Sequence, residues 1–358
     1  MRRGSTWGVV GAILGCFYLM SWGSFCWESQ AARQAPPAPI RKLTGHRGGI
    51  TSMVFHPQGA WLAVGGGNGD IRLWSLANGE LLARLQDPRE GGARISHLGV
   101  SAEGRYLSMT SRASVVVWDV SDLKKITIRY EDTYNPNPDL IGTITGDGKL
   151  CFVARREGTE GRLQAYSLVN RSLFELPLPA GAHVVAIASI PDRESTLTAA
   201  YCAAGPKGEA GRIVLVGLGD TRVLDKDVPA PGLDDPISIS FSTDGRWLVA
   251  NNATQVSLWR VPGSQVIRGP AQILPLQALT AAVGPNNRLV VATKDEDDDY
   301  VTLQFFDLSG PSPQLLGQQS TTIPWVSALA FSPREPLLAV ADDEEGTVEL
   351  HPVPFMKK

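Results

Sequence analysis

From Ile50 to the C-terminus one pattern of apolar and polar positions recurs. Each unit opens with an alternating run, such as Ile50-Thr51-Ser52-Met53-Val54-Phe55 or Pro236-Ile237-Ser238-Ile239-Ser240-Phe241, which predicts a strand with one face turned inward. A turn rich in Gly, Asp, Asn and Pro follows: His56–Gly59, Ser101–Gly104, Thr145–Gly148, Ser242–Gly245 and Pro285–Arg288. These residues supply the fixed or left-handed φ that tight turns need. A second apolar strand comes next, as in Trp61-Leu62-Ala63-Val64 and Trp247-Leu248-Val249-Ala250. After it come a polar loop, a third strand closed by a large residue, and a looser fourth strand. The third strands end at Trp74, Trp118, Tyr166, Val216, Trp259, Phe306 and His351, 43 to 50 residues apart.

Seven four-stranded units at this period predict an all-β, seven-bladed β-propeller over 39–356. No helix is required within it. Unit 7 ends after its third strand, Thr347–His351, and the missing fourth is supplied by Pro39-Ile40-Arg41-Lys42-Leu43 from the other end of the chain. Such overlap joins the first and last blades and removes two exposed sheet edges.

Unit 1 contains Leu43-Thr44-Gly45-His46, Phe55-His56-Pro57 and Gly69-Asp70-Ile71-Arg72-Leu73-Trp74, and unit 2 ends in Trp118-Asp119. With Trp259 closing the third strand of unit 5, these motifs resemble the WD-repeat (WD40) family over roughly 40–355. The resemblance implies repeat-motif roles for Gly45, His46, Trp74, Trp118, Asp119 and Trp259. It also implies a hydrogen-bonded tetrad of His, Ser or Thr, Asp and Trp within a blade. Here His46 and Trp74 match, Val64 or Gly65 falls at the hydroxyl position and Asn68 stands near the Asp position, so the blades are expected to be held by apolar packing.

Residues 1–28 form a separate segment. Between Arg3 and Glu28 lie 24 uncharged residues, about 36 Å as a helix and long enough for a hydrocarbon core of about 30 Å. Arg2 and Arg3 precede it, which orients the body to the non-cytoplasmic side. The expectation is a transmembrane signal anchor. A signal peptide cleaved after Ala31, with Ser29 and Ala31 as its small residues, would instead give a secreted protein. Ile13-Leu14-Gly15-Cys16 resembles a lipid-attachment box, although apolar Phe17–Met20 follows it. Gly11 and Gly15 form a GxxxG pair that can pack against a second helix. Residues 29–38, Pro- and Ala-rich, read as a spacer.

Charge and chemistry narrow the function. With 33 basic and 36 acidic residues the net charge is −3, so there is no general basic field to hold nucleic acid. Gly and Pro total 62 of 358 residues, and 43% are apolar, which suits many short elements around a real core. His46, His56, His97, His183 and His351 lack metal-ligand spacing. Cys151 and Cys202 read as buried small hydrophobes rather than a bridge. There is no nucleophile elbow, and Gly65-Gly66-Gly67-Asn68-Gly69 lacks the Lys-Ser/Thr of a phosphate loop, so it reads as a hairpin. Neither an enzyme nor a cofactor is expected.

The conspicuous feature is acidic. Asp295-Glu296-Asp297-Asp298-Asp299 and Asp342-Asp343-Glu344-Glu345 each lie between the second and third strands of neighbouring units. By family geometry these loops share one face with the blade-to-blade loops, which bring Arg47 and Trp325 to it; Trp325 reads equally as a contact anchor and as an aromatic packed between blades. The expectation is a protein-binding face for a basic partner on a membrane-tethered, non-catalytic scaffold. Four alternatives stand beside it: weak Ca²⁺ binding at the acidic loops, solvated loops that keep the protein soluble, a propeller enzyme or small-ligand site at the channel mouth, and a structural or envelope-assembly protein whose membrane helix associates through Gly11 and Gly15.

Overall fold

The computed structural model describes residues 38–354 except 88–91, 113, 122–124, 132–139, 158–159, 177, 179–182, 193–197, 204–211, 217–223, 230–237, 262–267 and 296–297. The chain divides into a unit of residues 1–35, which lies outside the described residues, and a body that begins at residue 36. The expected anchor, its cleavage site, Gly11, Gly15, Cys16 and Cys26 therefore fall outside the description. Among the described residues no helix is long and apolar enough to cross a membrane.

Among those residues the body consists of seven four-stranded antiparallel sheets. Six blades are continuous in sequence: 50–86, 95–131, 141–176, 183–229, 238–274 and 280–320. The seventh combines 326–352 with 41–43. Every residue used to mark a repeat lies on a third strand. Closure is as expected, with Arg41 opposite Leu350, Lys42 opposite Glu349 and Leu43 opposite Val348. The strand is shorter than Pro39–Leu43, because proline has no N–H to donate and the ladder begins with Ile40 N–H on the Leu350 carbonyl at 2.8 Å.

The turn chemistry explains why these segments fold back where they do. Gly59, Gly104, Gly148 and Gly245 have φ between 68° and 76°, a conformation that favours residues without Cβ. Three of the four turns also start with a hydroxyl that accepts the N–H opening the second strand: Ser101 from Tyr106 at 3.1 Å, Thr145 from Leu150 at 3.1 Å, and Ser242 from Trp247 at 3.0 Å. Blade 6 uses Asn286 and Asn287 at φ 60° and 57° within Pro285–Asn287, the one helical turn among the described residues.

Packing is between blades. Seven apolar clusters each span two neighbours: Trp61, Leu73 and Leu85 meet Leu98, Leu107 and Trp118, for example, while Leu62 and Trp74 of blade 1 meet Ala341 and Val348 of blade 7. Each buried Val, Leu or Phe contributes roughly 1.5–3 kcal/mol, so the ring of contacts is what closes the disc. Among the described residues the polar tetrad does not form in blade 1. Both ring nitrogens of His46 and the indole N–H groups of Trp74 and Trp259 are buried without a hydrogen-bond partner.

Two positions differ from the sequence reading. The backbone beside His46 is Gly66, whose Cβ would lie 3.2 Å from His46 Nδ1, while Gly65 faces Ile95 of blade 2 and Val64 packs in the core. The buried acid of blade 1 is Asp70, held by Asn68 at 3.0 Å and by Arg84 at 2.6 Å. Asp119 of the Trp-Asp pair is likewise structural, since its carboxylate takes Arg105 at 2.9 Å and the Ser121 hydroxyl at 2.5 Å.

Candidate functional site

In an antiparallel four-stranded blade, the hairpin between the second and third strands emerges at the same end as the connection to the next blade. That end is called the upper face here. The turns between first and second and between third and outer strands form the lower face. The closing strand enters at the lower face, where Arg41 donates to the carbonyl of Leu76 at 2.8 Å in a lower turn of blade 1.

On the upper face, blades 6, 7 and 1 place five loops side by side, and hydrogen bonds fix their order. Val301 N–H donates to the Ile323 carbonyl at 2.9 Å, and Thr321 N–H returns to the Val301 carbonyl at 2.9 Å. The Lys294 ammonium reaches the Pro324 carbonyl at 2.8 Å. Asp343 N–H donates to the Trp325 carbonyl at 3.2 Å, and His46 N–H to the Gly346 carbonyl at 3.3 Å. Trp325 thus sits between the two acidic loops, tied to one through Pro324 and to the other through Asp343.

The next loop carries Arg47, which is exposed. Its neighbour Gly49 packs so closely on the Asp343 carboxylate that a Cβ there would clash with Oδ1. On the far side Gly67 N–H donates to the Gly49 carbonyl at 3.1 Å, and the Gly65–Gly69 run is the hairpin its composition suggests. A side chain at Gly67 would collide with the Gly48 carbonyl, so this approach of two backbones requires glycine.

The acidic residues divide by role. Asp295, Asp299, Glu344 and Glu345 are exposed, and Asp298 and Asp343 are half-buried. Glu296 and Asp297 lie outside the described residues. Asp342 is not a surface acid: it is buried, and its Oδ1 accepts the N–H groups of Glu344 at 3.0 Å and Glu345 at 3.2 Å. It shapes the loop that presents the others. Among the described residues no group of three or more His, Cys, Asp and Glu is gathered to hold a metal ion, so the calcium reading gains no ligand set there.

Sequence reasoning missed Tyr300. This tyrosine directly follows Asp299 and is half exposed on the acidic loop of blade 6; an aromatic residue abutting an acidic run was the available signal.

The seven first strands enclose a central channel of about 1040 Å³. Its wall carries small and hydroxyl-bearing residues such as Thr51, Ser96, Ala186 and Ser327, whereas Asp192, Asp244, Arg246 and Arg334 lie in turns at the lower mouth. His97 is on the wall, where desolvation lowers its pKa to about 4 and keeps it neutral at ordinary pH. His46, buried beside Arg72, is also lowered to about 4, first by desolvation and then by the Arg72 charge. Cys151 is buried and free, and burial pushes its thiol up to about 12, which leaves it an inert packing residue.

Residues 37–75 match the family model described as WD domain, G-beta repeat. The chain is 34% identical over 122 residues to the small ribosomal subunit protein RACK1y of Oryza sativa subsp. japonica, a match covering 33% of this chain and 35% of that protein. It is 26% identical over 129 residues to the uncharacterized WD repeat-containing protein sll1491 of Synechocystis, covering 34% and 36%. The chain thus spans about a third of the length of these two curated relatives. Among solved structures, the β-propeller domain of Cps50 (Swd1) from Myceliophteria thermophila superposes with a TM-score of 0.70 at 16% identity, covering 87% of this chain and all of that domain. The WD40 repeats of RRP9 give 0.66 at 15% identity, covering 89% and 99%.

Proposed function

Because the chain belongs to the WD40-repeat family, we propose that it is a non-catalytic platform that holds a protein partner on its upper face. The observation that carries this reading is the meeting of two acidic loops around an exposed tryptophan, Trp325, within a rigid frame of backbone hydrogen bonds. Exposed Asp295, Asp299, Glu344 and Glu345 outnumber Lys294 around Trp325 and give the cluster an excess of negative charge, which selects and steers a basic partner. Arg47 marks its edge and orients the partner by repulsion.

In the same proposal the propeller lies on the non-cytoplasmic side, tethered by the uncharged segment after Arg3 or released by cleavage after Ala31. The segment's length and flanking arginines support this. Entry of the chain at the lower face leaves the acidic loops on the opposite side of the disc.

The test is affinity capture of the tagged full chain beside a variant with Asp295, Asp299, Asp343, Glu344 and Glu345 changed to their amides. The expected result is a defined partner retained by the native chain, lost in the variant, and released progressively as salt rises. Equal capture by both chains would overturn the acidic face. A topology reporter fused after residue 358 tests export independently: activity confined to the cytoplasm would remove that part.

A further inference from the structure

Six tryptophans lie within the described residues. Trp61, Trp74, Trp118, Trp247 and Trp259 are buried at 8% exposure or less, while Trp325 stands at 46%. Tyr300, on the adjacent loop, stands at 50%. Their segments are joined by the two Val301 backbone bonds and by the Lys294 contact to Pro324. Two large aromatic residues on neighbouring, hydrogen-bonded segments therefore each leave about half of their surface in solvent. Asp295 and Asp299 share a loop with Tyr300, and Asp343 bonds to the backbone of Trp325.

Exposed aromatic rings on adjoining loops that also carry carboxylates match one side chain above others. The planar guanidinium of arginine stacks on a ring through its face while its N–H fork takes a carboxylate in the plane. A lysine ammonium is more strongly hydrated and offers no stacking plane. We propose that Tyr300 and Trp325 are stacking anchors for arginine side chains of an extended partner segment, with Asp295, Asp299 and Asp343 as their counter-charges. This rests on the acidic-face reading and adds to it the residue type recognised and the two anchors that recognise it.

The probes are fluorescein-labelled 12-residue peptides of alternating Gly and Arg, Gly and Lys, and Gly and citrulline, titrated against the full chain in detergent by fluorescence anisotropy. Trp325→Ala, Tyr300→Ala and the triple amide variant Asp295→Asn/Asp299→Asn/Asp343→Asn are measured alongside, each checked by circular dichroism for an intact fold. The Arg peptide should bind about fivefold more tightly than the Lys peptide, and each aromatic variant should lose about fivefold for Arg with little change for Lys. Citrulline, planar but uncharged, should bind more weakly than either.

Equal binding of Arg and Lys peptides, unmoved by either aromatic substitution, overturns the anchors while leaving charge-driven docking in place. Binding of the triple amide variant at native strength overturns the acidic reading itself. Failure of the Arg peptide to bind the native chain also overturns the anchors, and partner capture then decides the acidic face separately.

Discussion

Lys42 and Glu349 face each other in register across the strand pair that closes the ring, with ammonium and carboxylate 2.6 Å apart. Glu349 is buried and its second oxygen meets His351 Nε2 at 2.9 Å, whereas the Lys42 side chain is half exposed. The His351 contact, followed by Lys42 and opposed by burial, holds the Glu349 carboxyl below its usual range, and the Glu349 bond raises Lys42. A depressed carboxyl stabilises the fold above its unfolded pKa and loses that contribution as pH falls through the folded value. Unfolding by urea should therefore become easier below about pH 4.5. For Lys42 the sign is opposite, and its contribution fades only above pH 10.5. Lys42→Met should cost about 1–2 kcal/mol at pH 7 by leaving a buried carboxylate short of a partner, and Lys42→Met/Glu349→Met less than the sum of the single changes. An additive double-mutant cycle would deny the coupling.

The Trp118-Asp119 pair was legible from its dipeptide, but its counterpart in blade 6 was not, because Phe306 replaces the tryptophan. The structure shows one clamp in both places. Asp119 binds Arg105 and Ser121, and Asp307 binds Arg288 at 3.0 Å and the Ser309 hydroxyl at 2.6 Å. Ser309 and then Arg288 hold Asp307 below the usual carboxylate range. For Asp119 burial is the largest single effect and acts upward, but the bonds from Arg105 and Ser121 together outweigh it and hold the carboxyl below its usual range. Asp119→Ala and Asp307→Ala should each lower stability by about 1 kcal/mol at neutral pH, and each difference should shrink below pH 4 as the native carboxylates protonate. A pH-independent loss would show that packing, not charge, had been removed.

Periodicity revealed the blade count, the closing strand and the turn positions, because strand alternation and left-handed turn residues are local properties of the sequence. What a carboxylate does is not local. Asp342 and Asp343 are consecutive and chemically alike, yet the carboxylate of one is buried as an acceptor for Glu344 and Glu345 while that of the other packs against Gly49 of the next loop. That division follows from strand register, which sets Asp342 opposite Val326 at the end of its ladder. Asp342→Ala should therefore weaken the fold by about 1 kcal/mol through two lost acceptor bonds. Glu344→Ala, on an exposed residue, should leave stability within about 0.5 kcal/mol. Equal urea midpoints for the two variants would contradict this assignment.

Gly104 and Gly245 occupy the same turn position at φ 74° and 68°, so replacing either by alanine strains the backbone alike, by about 1 kcal/mol. Their surroundings differ. A Cβ on Gly104 would collide with His56 Nε2, whereas at Gly245 the nearest atom, on Ile190, is 3.9 Å away. His56 has little freedom to yield, since its Nδ1 accepts Gln58 N–H at 3.1 Å and its ring packs edge-on against Trp61 at 4.8 Å. Gly104→Ala should cost at least 1 kcal/mol more than Gly245→Ala, and His56→Ala should recover part of that excess in the double variant. Identical losses for the two glycine substitutions would show that His56 is free to move.

Asn286 and Asn287 share left-handed backbone conformation, but only Asn287 supports a neighbouring blade. Its Oδ1 accepts the Trp247 indole N–H at 2.9 Å, and its carbonyl accepts Leu308 N–H. Glycine at either position relieves the unfavourable φ, a gain offset in part by its greater freedom in the unfolded chain. At exposed Asn286 the two effects should leave stability within about 0.5 kcal/mol of native. At Asn287 the same change removes the side-chain acceptor of the buried Trp247, so Asn287→Gly should lie about 1 kcal/mol below Asn286→Gly. Asn287→Asp, which keeps an acceptor oxygen and tolerates the same φ, should recover most of the difference. Were Asn287→Gly as stable as Asn286→Gly in urea titrations, the blade-to-blade indole bond would contribute nothing, and apolar packing of Trp247 would hold blades 5 and 6 together unaided.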